Sequence, residues 1–265
     1  MVSLIPMAGL GSRFTQDGYR LPKPFIPILG MPMFMAALRS FPEAAKYVFL
    51  CRENFLDQFP FERETRQHCP NPTIITVTEN TEGQACTCLL AEQETQPEDE
   101  LLISSIDYQI VYPTDVFDSL RKTESVDAIV FTFHLNPMEN KNPEGFAYCR
   151  VDGDRVLEVV EKRTISNTPE KDHAVVGSFY YRKARDFCSS AKDMIAKNIR
   201  VNGEFYVGTS LNQLIERGFD VRVLPVDKFI CFGTPFELNM FNAWEEYFYA
   251  MKHHPYQGHP RDEVS

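Results

Sequence analysis

The chain has 265 residues, 43% of them hydrophobic and 24% charged, a soluble globular balance with room for one large α/β domain or two small ones. Lys and Arg number 27 against 37 Asp and Glu, a net charge of −10 with no basic run. An extended nucleic-acid surface is therefore not expected, since such binding needs many Lys/Arg–phosphate contacts. No apolar stretch is long enough to span a bilayer, and the N-terminus does not read as a signal peptide. The seven cysteines lack a paired metal spacing and read as reduced thiols of a cytosolic protein.

The first apolar run, Leu4-Ile5-Pro6-Met7, reads as a buried strand. It runs into Ala8-Gly9-Leu10-Gly11-Ser12-Arg13-Phe14 and then Leu21-Pro22-Lys23-Pro24-Phe25. Glycines beyond a first strand let the backbone approach a ligand, and the strand ends of an open α/β sheet are where nucleotides bind. Arg13 and Lys23 add two cations, so the loop reads as a polyphosphate site. It is not a dinucleotide fingerprint, because Phe14 stands where a third glycine is needed, and it is not a Walker loop, because Gly-Lys-Ser/Thr is absent. Gly-x-Gly-x-Arg followed ten residues later by Lys-Pro resembles the signature of sugar-phosphate nucleotidyltransferases. The resemblance implies a three-layer α/β/α Rossmann-like fold with a mixed, mostly parallel sheet. It also implies that Ala8, Gly9, Gly11 and Ser12 wrap a nucleoside triphosphate while Arg13 and Lys23 contact its phosphates.

Further along, Gly30-Met31-Pro32 reads as a turn into a helix with Met33, Ala36, Ala37 and Phe41 on one face. Lys46–Cys51 and Thr73–Thr78 read as strands, with an irregular helix and loop between them. Thr81-Glu82-Gly83-Gln84-Ala85 leads into a helix reaching about Glu94, either with Thr81 as an N-cap or, by the resemblance, with Gly83 and Gln84 reading the nucleobase. Leu101–Ser105 is a fourth apolar run, followed by Asp107. A carboxylate at the end of a central strand suits Mg²⁺, which prefers oxygen ligands shared with phosphates. The related enzymes carry their metal aspartate at this point.

Asp127–Leu135 reads as a core strand, and Arg155–Val160 as one side of a hairpin turning at Asp152-Gly153. By resemblance, Gly145 contacts the sugar, Glu161 accepts hydrogen bonds from its hydroxyls and Lys162 holds its phosphate. Gly177, in the strand Ala174–Tyr181, and Glu204, in Asn-Gly-Glu-Phe-Tyr, complete the implied acceptor set. A helix over about 183–197 and another reaching Arg217, stopped by Gly218, precede the strand Val221–Val226. Gly233-Thr234-Pro235 is also familiar, but many relatives have an aspartate just before this glycine as a second metal ligand. Phe232 stands there instead, leaving Asp227 or Glu204 as substitutes, or Asp107 as the sole carboxylate. A last helix runs from Phe236 to about Met251, ahead of a polar tail.

The resemblance thus implies a single domain over 1–251, nucleotide-binding over about 1–135 and acceptor-binding over about 136–235, with a tail at 252–265. The implied reaction transfers a nucleoside monophosphate from a triphosphate to a sugar 1-phosphate or similar acceptor. Pyrophosphate leaves, Mg²⁺ assists, and the role falls in bacterial capsule or lipopolysaccharide synthesis. Small molecules are the expected partners, without nucleic acid or membrane, and a homo-oligomer is left open. The competing expectations are a nucleotide-sugar glycosyltransferase of related fold and a non-catalytic nucleotide-sugar-binding homologue.

Overall fold

The computed structural model describes residues 1–56, 60–137 and 139–251. The polar tail expected at 252–265, with its His253-His254 pair, lies outside the described residues. The described residues divide into two compact units: those of 1–8, 43–105 and 111–228 form one, and those of 9–42, 106–110 and 229–251 form the other.

The first unit holds a nine-stranded sheet. In chain order its strands are β1 (Val2–Pro6), β2 (Lys46–Arg52), β3 (Pro72–Val77), β4 (Leu101–Ile103) and β5 (Ala128–Phe133), then β6 (Ala147–Asp152), β7 (Arg155–Glu161), β8 (His173–Tyr181) and β9 (Val221–Pro225). Their spatial order is β3-β2-β1-β4-β8-β5-β9-β7-β6. β1, β2, β3 and β4 pair in parallel, as do β5 and β9. β8 runs antiparallel to β4 and β5, and β7 antiparallel to β6 and β9. The sheet is therefore mixed. β6 also pairs with β8 through His173↔Cys149 and Ala174↔Tyr148, so this side of the sheet curls back toward its middle.

The strands sit where apolar runs predict them, because a strand covered on both faces must be apolar throughout. All six residues of β5, Ala-Ile-Val-Phe-Thr-Phe, are buried. Against the sheet unit's core pack the helices α1 (Phe61–His68), α2 (Gln84–Leu89), α3 (Thr114–Lys122), α4 (Ala184–Ala196) and α5 (Val207–Glu216). Phe187, Ala191 and Met194 of α4 meet Leu211 and Leu214 of α5 in one cluster with Leu4, Val48, Ile103 and Val130 of the strands. α5 stops as expected: Gly218 takes φ +86°, and the amides of Gly218 and Phe219 donate to the carbonyls of Ile215 and Leu214. Thr81 does not cap α2. Gly83 holds the N-cap position without a side-chain bond, while the Thr81 hydroxyl donates to the Gly83 carbonyl at 3.1 Å.

The second unit is smaller. It contains short helices over Ser12–Gln16 and Met33–Leu38, a hairpin of Pro27–Ile28 with Met31–Pro32, and the long helix Pro235–Ala250. Leu29 and Gly30 both have positive φ, as a tight two-residue hairpin turn requires, so a hairpin precedes the helix at Met33. Tyr108–Val111 pairs with Lys228–Cys231 in a two-stranded sheet. Phe14, Ile26, Ile28, Met33, Ala36, Phe232 and Leu238 form the buried cluster that fixes these pieces.

Candidate active site

In the second unit the glycine loop is built around Lys23. Gly11 adopts φ +61°, and a Cβ there would lie 2.9 Å from Cβ of Lys23, so the loop rests on the lysine's stem. Lys23 opens a short 3₁₀ turn, Lys23–Phe25, with Pro24 in its first turn. Its ammonium donates to Oδ2 of Asp107 at 2.7 Å and lies 5.7 Å from the centre of the Phe14 ring. Both side chains are partly open to solvent, 19% for Lys23 and 26% for Asp107. Arg13 sits on the helix Ser12–Gln16 and is exposed, free to reach an anion.

The Asp107 carboxylate has a built seat. Its backbone carbonyl accepts from the amide of Phe232 at 3.0 Å. A Cβ on Gly233 would stand 2.9 Å from Oδ2, so only glycine leaves the carboxylate this place. Phe232, the departure from the resembled pattern, is completely buried in the unit's core and packs edge-on to Phe241 at 5.9 Å. It is a packing residue. Among the described residues no group of three or more His, Cys, Asp or Glu side chains is placed to hold a metal ion. A single carboxylate fits a hard cation whose remaining ligands are phosphate oxygens and water, as Mg²⁺ commonly has.

The sheet unit brings together the residues expected at the acceptor. Lys162, just past β7, has φ +53°, which turns its ammonium to donate to the Gly145 carbonyl. Its amide donates to the Phe146 carbonyl at 3.0 Å, and its ammonium stands 5.9 Å from the Tyr206 ring centre. Burial pushes the Glu161 carboxyl up to about 7, with Lys162 opposing the shift. Burial and the neighbouring Glu204 carboxylate, which hydrogen-bonds its hydroxyl, push Tyr206 up to about 12. Gly145, Glu161, Lys162 and Glu204 thus gather with Tyr206, which the sequence reading had not selected. Gly177 lies in β8 at φ +101°, inside the register shift between Val175 and Phe179.

Gly83 and Gln84 open α2 in the same unit. A Cβ on Gly83 would come within 2.5 Å of the Phe205 backbone. The Phe205 amide donates to the Glu82 carbonyl at 2.9 Å, and the Ala85 amide donates to the Phe205 carbonyl at 3.0 Å. Arg200 reinforces this seam, stacking 4.0 Å from the Phe205 ring and pairing with Glu82 at 3.0 Å. The glycine required at position 83 therefore already has one close neighbour in the protein, a contact the local spelling did not reveal.

No protein-family model matches the chain, and no curated protein matches it by sequence. The fold, however, is that of solved nucleotide-sugar pyrophosphorylases and related nucleotidyltransferases. A nucleoside-diphosphate-sugar pyrophosphorylase from Vibrio cholerae RC9 superposes with a TM-score of 0.74 at 23% identity, covering 91% of this chain and 99% of that one. The inositol-1-phosphate CTP transferase from T. maritima superposes at 0.70 with 14% identity, covering 92% and 95% of the two chains. For the UDP-glucose pyrophosphorylase from Acinetobacter baumanii the TM-score is 0.69 at 11% identity, with 97% of each chain covered.

Proposed function

We propose that this chain is a nucleotidyltransferase that transfers a nucleoside monophosphate from a triphosphate to a sugar 1-phosphate or a similar phosphorylated acceptor. The observation that carries this reading is the Lys23–Asp107 pair, seated on Gly233 and packed beneath the Gly9–Arg13 loop. The loop spelling names a triphosphate, and the lysine and carboxylate beside it are the groups such a substrate needs. The fold shared with solved pyrophosphorylases supports the same reading. We read the architecture as the three-layer nucleotidyltransferase arrangement, with the parallel strands β1–β4 forming its nucleotide-binding part. On this reading the protein works in the cytoplasm, where its substrates are made, and supplies a nucleotide sugar for bacterial surface polysaccharide.

In the reaction an oxygen of the acceptor phosphate forms a bond to the α-phosphorus, and the bond from that phosphorus to the pyrophosphate oxygen breaks. The acceptor is already an anion at neutral pH, so no general base is required. Catalysis then consists of aligning anions and neutralising charge. Lys23 and Arg13 would hold the triphosphate and take up charge gathering on the leaving pyrophosphate. Asp107 would hold Mg²⁺, which when bound supplies a Lewis acid to the phosphate oxygens. Lys23 leaves the carboxylate for phosphate when substrate arrives, since both are anions within reach of its flexible stem. Gly83 and Gln84 would face the base, Lys162 the acceptor phosphate, and Glu161 and Glu204 its hydroxyls.

The test is pyrophosphate release with Mg²⁺, crossing the common nucleoside triphosphates with a panel of phosphorylated acceptors. Release with one pair supports the reading and names base and acceptor together. Nucleotide binding without release from any pair overturns it in favour of a non-catalytic binder. Free nucleoside diphosphate formed from a nucleotide sugar would instead indicate a glycosyltransferase.

A further inference from the structure

A side chain of α5 bonds directly to the backbone of β7. β7 pairs with β9 at Arg155↔Arg222, and on its other side it runs along β6 to Glu161↔Ala147. Past Arg155 the side of β7 toward β9 is without a strand partner in this register, and its backbone groups need other partners. Asn212 of α5 supplies them at Val159. The Val159 amide donates to Oδ1 of Asn212 at 2.8 Å, and Nδ2 of Asn212 donates to the Val159 carbonyl at 2.9 Å. The carboxamide thus presents one donor and one acceptor to one residue, as a neighbouring strand would.

One helical turn earlier on the same face of α5 lies Gly208. A Cβ at this position would collide with Oε1 of Glu161 and stand 3.3 Å from Cγ1 of Val159. Val159 and Glu161 are two residues apart in β7 and share a face. Gly208 and Asn212 are therefore two halves of one docking surface: the glycine makes room for the carboxylate, and the carboxamide sets the height of the strand that carries it. Lys162 follows directly, with its positive φ and its bond to the Gly145 carbonyl.

We infer that Asn212 is a positioning residue for acceptor binding, acting through β7 to hold Glu161 against Gly208 and Lys162 against Gly145. The inference rests on the reading that Glu161 and Lys162 serve the acceptor. Losing a paired, part-buried carboxamide commonly lowers an affinity by about tenfold. With Asn212→Ala the KM for the acceptor should rise by about that factor while the KM for the triphosphate stays within about twofold. Asn212→Asp keeps the acceptor for the Val159 amide but loses the donor to its carbonyl, so it should fold and fall between the two.

A second readout does not depend on turnover. In protein carrying ¹³C-labelled glutamate, one carboxyl should titrate near 7, and Glu161→Gln should remove it. In Asn212→Ala its midpoint should move toward the usual carboxylate range as Glu161 leaves its seat. Equal rises in both KM values, unchanged KM values with an unmoved Glu161 titration, or failure of both variants to fold would overturn the inference and leave Asn212 a purely structural residue. Absence of pyrophosphate release from the wild-type protein would overturn the nucleotidyltransferase reading instead, and the carboxyl titration would still decide the role of Asn212.

Discussion

Lys23 and Arg13 differ in how the fold treats them, but on the proposed reading both serve the same triphosphate. Lys23 is held by Gly11, Phe14 and Asp107, whereas Arg13 is exposed. Loss of one preorganised electrostatic group costs roughly 3–4 kcal/mol in transition-state stabilisation, about a hundred- to a thousand-fold in rate. Lys23→Ala and Arg13→Ala should each lower kcat by that factor in the pyrophosphate assay, with unchanged circular dichroism. Gly233→Ala should be comparably damaging without removing any functional group, because its Cβ would displace the Asp107 carboxylate. Glu161 makes a prediction about pH. Its carboxyl titrates at about 7 in the folded protein, up from 4.5, because burial favours the neutral form. Between these values the folded state keeps a proton that the unfolded state has released, so stability falls as pH rises. Relative to Glu161→Gln, the wild-type protein should lose up to roughly 3 kcal/mol from pH 4.5 to 7. Chemical denaturation of both proteins across that range measures it. The residues with a motif around them, Gly11, Arg13, Lys23, Glu161 and Lys162, could be selected from the sequence. Asn212 could not, since it is an isolated polar residue on a helix and only the strand beside it gives it a task; Tyr206 ends the Asn-Gly-Glu-Phe-Tyr spelling, but only its nearness to Glu204 and Lys162 singles it out.

Among the elements, the helix Pro235–Ala250 was legible at its beginning. Thr234 accepts from the Glu237 amide at 3.3 Å, and the Glu237 carboxylate accepts from the Thr234 amide at 2.9 Å, a capping box with Pro235 next to the cap. Thr234→Ala should cost about 1 kcal/mol, visible as a lowered denaturation midpoint with an unchanged slope. The turn before it also carries Gly233 and the buried Phe232, so the cap helps set the backbone on which Asp107 rests. Phe232→Ala should cost about 3–5 kcal/mol as an emptied core position, read in the same experiment. A phenyl ring offers no ligand atom, so the residue after strand Lys228–Cys231 contributes packing to the buried cluster. α2 shows the opposite case. A threonine ahead of an apolar helix suggests a cap, but Thr81 is drawn to the Gly83 carbonyl and to the Thr87 hydroxyl, 2.6 Å away. The seam between Gly83 and Phe205 sets the helix start instead.

For the whole molecule, the net charge of −10 means that a triphosphate must be held by local cations against an unfavourable average field. Binding at such a site should stabilise the folded chain by mass action, by about 2.7 kcal/mol at a hundredfold excess over Kd. For a protein of this size that corresponds to a rise of about 5–11 °C in Tm. Differential scanning fluorimetry with triphosphate and Mg²⁺ should show this rise, and it should vanish in Lys23→Ala. No helix among the described residues is long and apolar enough to cross a membrane.

The sequence by itself determined most strands of the large sheet, several helices and the glycine loop, because apolar periodicity and turn chemistry act over a few residues; the helix Thr114–Lys122 and the pair Tyr108–Val111 with Lys228–Cys231 were not read from it. It also set out, as a spelling, the residues proposed for the acceptor. The tertiary structure decided which of them meet. It paired Lys23 with Asp107 across 84 positions of chain, set Gly233 beneath that carboxylate, buried Phe232 and placed Asn212 beside β7. Each of these is a contact between segments far apart in sequence. Its energy depends on shape and burial after the strands have paired, and no window of neighbouring residues contains that information.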